Sequence, residues 1–74
     1  MNERTYARGL ICELADENKA LRAKYERLKY DVFNLLEQGK PKEAEVKLKD
    51  MAETMDAIYA NDDEISDLKE KWSI

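Results

Sequence analysis

Few side chains in this sequence could do chemistry. Among 74 residues there is one thiol, Cys12, and no histidine, while 17 Asp and Glu stand against 13 Lys and Arg. General acid–base catalysis draws most often on histidine, and nucleophilic catalysis needs a hydroxyl or thiol held beside a base. The sequence has no Gly-rich phosphate loop, no Glu-x-x-His pattern and no Ser-based motif. One thiol without histidine cannot supply the usual zinc ligand sets, and the glycine and carboxylate spacing of a calcium loop is missing. Paired carboxylates do occur, as helical faces dense in charge produce them by spacing alone. The expectation is a non-enzymatic protein: catalytic residues none, metal ligands none, cofactors none, and no small-molecule substrate.

Recognition is the remaining chemistry. Lys19, Arg22, Lys24, Arg27 and Lys29, interleaved with Tyr25 and Tyr30, make a basic face that could meet phosphates. Glu17, Glu26 and Asp31 dilute it, and a pI near 4.8 works against nonspecific nucleic-acid affinity. Charge is unevenly placed, since residues 1–49 hold 11 Lys and Arg against 9 Asp and Glu, while 50–74 hold 2 against 8. The acidic segment could dock on a basic partner, or Glu53 and Asp56 could pair with Arg22, Lys24 and Arg27 of the first half. Exposed pairs of that kind contribute ~0–1 kcal/mol each.

These residues must be positioned by helices. Gly39-Lys40-Pro41 places a glycine to end one helix and a proline at the first position of the next. Upstream, a four-three spacing runs through Ala7, Ile11, Leu14, Asn18, Leu21, Tyr25, Leu28, Val32 and Leu35. Downstream it returns at Ala44, Leu48, Met51, Met55, Ile58, Asp62, Ile65, Leu68 and Trp72. The reading is all-α: a long antiparallel hairpin with a helix over about 4–37, a turn at 38–41 and a helix over about 42–72. Asn61-Asp62-Asp63-Glu64 resembles an N-cap signature, so a kink or break at 60–63 stays open. Folding about Gly39–Lys40 pairs positions whose numbers add to 79 or 80, and sets the polar Asn18 opposite Asp62.

Leu14, Leu21, Leu28 and Leu35 recur every seven residues with Asn18 on the companion stripe, so the 22 residues from Leu14 to Leu35 resemble a leucine zipper. In the basic leucine-zipper family a dense Arg and Lys helix precedes the zipper and enters the major groove. This chain offers only Arg4 and Arg8 there, beside Glu3 and Glu13, and none of the family's DNA-reading residues carries over. The resemblance does imply a register-setting role for Asn18, as a buried Asn can fix alignment and oligomer state at some cost in stability. The alternative is a polar layer satisfied inside the hairpin by Asp62 or Asn61.

Seventy-four residues make one domain, 1–74, with a thin core. Below ~70–80 residues such a core seldom supplies more than ~3–5 kcal/mol. A single cysteine excludes an internal disulfide, which leaves self-association as the common supplement. Tyr6, Leu10, Tyr30, Phe33, Leu36 and Tyr59 fall outside the two stripes and are the candidate oligomer or partner surface. The longest apolar run is the four residues Ala57 to Ala60, too short for a membrane span, and one unpaired thiol fits a reducing, cytoplasmic setting. The expected function is protein–protein interaction by a small helical adaptor, regulator or inhibitor, most simply a homodimer forming a four-helix bundle. The alternatives are a nucleic-acid-linked regulator using residues 19–29 and an acidic inhibitor docking through residues 50–70.

Overall fold

The computed structural model describes residues 2–74, which form two helices and no strand. Helix α1 spans Glu3–Glu37 and helix α2 spans Pro41–Trp72. At 1.5 Å per residue the 35 and 32 residues of the arms predict lengths of about 50 Å, and the molecule measures 55 × 14 × 13 Å.

The ends of both helices are set by local chemistry. Asn2 caps α1, its side-chain oxygen accepting from the Thr5 amide at 2.8 Å, and Glu3 adds negative charge to the first turn. At the other end the Lys40 amide donates to the Leu35 carbonyl at 2.9 Å and the Gly39 amide to that of Leu36 at 3.1 Å. These are the two bonds of a Schellman motif, and the motif requires the left-handed backbone that Gly39 adopts at φ +72°. Pro41 then opens α2, where its missing N–H costs nothing. Lys69 and Lys71 sit in the last turn of α2, where cations favour the helix dipole.

The arms meet along one seam. On α1 all nine expected stripe positions are buried or half-buried. On α2 the buried and half-buried set that continues the seam is Ala44, Lys47, Met51, Thr54, Ile58, Asn61, Ile65, Leu68 and Trp72. Three expected positions are therefore corrected: Lys47 replaces Leu48, Thr54 replaces Met55 and Asn61 replaces Asp62. Leu48 is 49% exposed, whereas Thr54 is 4% exposed. With a strict three-four alternation, all nine opposed pairs add to 79, among them Asn18 with Asn61 and Val32 with Lys47.

The physical reason is the width of a two-helix seam. In a heptad the inner position lies about 26° from the contact line and its neighbour on the flank about 77° away. Only the inner one faces a single partner helix. Apolar character favours Leu48 and Met55, but geometry gives the inner place to residues whose polar groups are accommodated. The Thr54 hydroxyl donates to the Asp50 carbonyl one turn back at 2.7 Å. Lys47 lays its stem along the seam and brings its ammonium to 4.0 Å from Asp31.

α2 runs unbroken through Asn61 to Trp72, which resolves the open kink at 60–63 in favour of a continuous helix. Asn61 does not start a new helix because its side chain is engaged across the seam. At the open end, the Arg4 guanidinium donates to the Ser73 carbonyl at 3.0 Å, tying the two termini together.

Candidate functional site

Asn18 is the most completely buried sizeable side chain, at 2% exposure. Its amide donates to Asp62 at 2.8 Å, and its carbonyl oxygen accepts from the Asn61 amide at 2.9 Å. Among the described residues no buried side-chain nitrogen or oxygen lacks a partner. A buried amide left unpaired would cost ~1–3 kcal/mol, so this layer is tolerated because both of its faces are bonded. Both partners belong to the same chain, across the hairpin.

The core around it is thin. Ala7, Leu28, Val32, Ala44 and Ile58 are the buried apolar residues, and two of these five are alanines that permit close approach of the helices. Trp72, half-buried, lies at the level of Ala7 at the open end, with the Lys71 ammonium 5.3 Å from its ring centre.

Five of the six residues assigned from sequence to the outer surface are exposed, namely Tyr6, Tyr30, Phe33, Leu36 and Tyr59, and Leu10 is half-buried. Heptad geometry sorts them. Phe33 and Leu36 lie on one flank of α1, Tyr30 on its outer edge, and Tyr6 and Leu10 on the opposite flank near the open end. In an antiparallel hairpin the corresponding flanks of the two helices adjoin. A surface groove lined by Arg22, Tyr25, Glu26, Met55 and Ile58 places the Arg22 flank of α1 beside the Met55 flank of α2.

On that shared flank α2 contributes Leu48, Ala52, Met55 and Tyr59. Their four-three-four spacing is a second helical stripe beside the seam. Leu48 and Met55, read from sequence as core, thus belong to the surface apolar set, Leu48 exposed and Met55 half-buried. Val46, 62% exposed on the opposite flank, is a further surface apolar residue that sequence reading does not single out. The signal was present in the spacing of 48, 52, 55 and 59, masked because two of its members also fit the core stripe.

The basic residues Lys19, Arg22, Lys24, Arg27 and Lys29 are all exposed. They do not share a face: Lys19, Arg22 and Lys29 fall on the Phe33 flank, Lys24 and Arg27 on the other. Among the described residues, the ion pairs are Lys40 with Glu43 at 3.9 Å and Lys47 with Asp31. The expected pairing of Glu53 and Asp56 with Arg22, Lys24 and Arg27 is replaced by solvated charges. Cys12 is exposed, and among the described residues no cluster of three potential metal ligands occurs. No helix of the described residues is long and apolar enough to cross a membrane.

Compared with known proteins, the chain matches no family model, no curated protein and no solved structure.

Proposed function

We propose that this chain is a non-enzymatic interaction module, a small helical adaptor, regulator or inhibitor that self-associates and presents helical surface to a protein partner. The observation that carries this reading is the surface left uncovered by the hairpin. The accessible area is 5720 Å², against about 4,700 Å² for a compact monomer of 8.7 kDa. The radius of gyration is 16.7 Å, against about 11 Å for a compact chain of this length. The excess, about 1,000 Å², is of the size that one partner contributes to a standard interface, about 800 Å². Phe33, Leu36, Leu48 and Tyr59 lie within that exposed area.

Association would also supplement a core of five buried apolar residues. Two hairpins packed side by side make a four-helix bundle, the arrangement that buries a second stripe on an otherwise two-helix protein. The nucleic-acid alternative is less favoured because the basic residues divide between two flanks, so one phosphate track would meet only part of them. Light scattering across the order of 1–100 µM chain is the test, with a dimer mass expected. A single-chain mass throughout that range removes the self-association.

A further inference from the structure

The flank formed by Phe33, Leu36, Leu48, Ala52, Met55 and Tyr59 is the broadest unpartnered apolar face of the hairpin. It extends over more than two turns of α2 and over the last turns of α1, from the Gly39 turn to the middle of the molecule. Its α2 stripe has the spacing of the seam itself, so the face suits another helix laid along it. We propose that its occupant is a second copy of this chain, related by a two-fold axis parallel to the hairpin's length, so that both turns lie at the same end. This inference rests on the self-association reading above and adds the surface and the orientation.

The molecule as a whole has surface to spare. The hairpin exposes about 1,000 Å² more than a compact monomer of its mass, and a standard interface takes about 800 Å² from each partner. A two-fold contact requires one patch that complements itself, which an apolar flank does without further design.

Charge selects the orientation. Beside the patch, the α1 flank carries Lys19, Arg22 and Lys29 against Glu26, a net positive edge. The matching α2 flank, over the same height, carries Glu45 and Asp62 and no Lys or Arg, a net negative edge. With the axis along the hairpin, each α1 lies over its partner's α2, and the positive edge meets the negative one. With the axis across the hairpin, α1 lies over α1 and like charges meet, which opposes docking. At equal height along the bundle, Phe33 of one copy then faces Leu48 of the other, and Lys19 faces Asp62.

The test uses the full chain in three forms, followed by light scattering and circular dichroism. Wild type and Val46→Glu, on the opposite flank, are expected at twice the 8.7 kDa chain mass. The double variant Phe33→Glu/Leu48→Glu is expected at the single-chain mass with its helicity retained. A dimer that persists in the double variant overturns this face while leaving self-association intact. Single-chain wild type overturns both. Orientation is read independently, with native side chains on the patch, from a spin label on Lys40→Cys in a Cys12→Ser background. Turn-to-turn distances under about 30 Å within the dimer support the arrangement, since packed helices lie ~8–10 Å apart. Longer distances overturn it, because the crossed alternative separates the turns by about 35 Å.

Discussion

The two arms bury the same number of seam positions but fill them differently. α1 fills eight of its nine seam positions with apolar residues, interrupts them once, at Asn18, and leaves Phe33 and Leu36 on its flank. α2 places Lys47, Thr54 and Asn61 in the seam and leaves Leu48 and Val46 outside. In α1 hydrophobicity and geometry agree on which face is inside. In α2 they disagree, and geometry prevails because the seam has room for one narrow row. An amphipathic helix with more apolar residues than its fold can use is therefore a helix with two faces to satisfy.

The comparison can be tested with one substitution made in each arm. Val32→Ala in the α1 seam is expected to cost ~1.5–3 kcal/mol, from the lost burial plus the cavity it leaves. Val46→Ala, on the outer side of α2, is expected within ~0.5 kcal/mol of wild type. Urea unfolding followed by circular dichroism at fixed protein concentration separates them, and equal losses would mean that the two arms are not packed as described. Asn18→Ala removes the layer shared by both arms and leaves Asn61 without its acceptor, an expected loss of ~1–3 kcal/mol. Stability unchanged in the same assay would place Asn18 in contact with water instead.

Smaller effects distinguish the turn from the arms. Gly39→Ala forces a Cβ into left-handed backbone and is expected to lower stability by ~1–2 kcal/mol, although a Cβ there would touch nothing within 4 Å. Gly9→Ala is the converse, since a Cβ there also meets nothing and the backbone is ordinary helix. It is expected to raise stability by ~0.5–1 kcal/mol, seen as a higher midpoint in thermal unfolding. Opposite signs for the two glycines test the Schellman turn directly, and a gain at Gly39 would refute it.

Much of this architecture was legible in the residues. Gly39 and Pro41 located the turn, and the α1 stripe named every seam position on that arm. The partners of Asn18 were also readable, because the one polar interruption of each stripe falls at the same height. The inner row of α2 was not readable. Leu48 and Lys47 are neighbours, and only the backbone decides which of them points at the other arm. The N-cap signature at Asn61-Asp62-Asp63-Glu64 left a break open for a related reason: the side chains that could cap a new helix instead bond Asn18 across the seam. The candidate surface was partly legible. Phe33, Leu36 and Tyr59 stand out as apolar residues off the stripe, while Leu48 and Met55 were hidden by their fit to it.

The hydrogen-bonded reversal at Leu35 to Lys40 closes using only residues within six positions of one another. Each successive rung outward then encloses a loop only a few residues longer than the last, so its added entropic cost is small. Assembly can advance like a zip fastener from the bend, and opening should run the opposite way, starting where Arg4 holds Ser73. Amide hydrogens should accordingly exchange fastest in the terminal turns and slowest between the bend and the Asn18 layer.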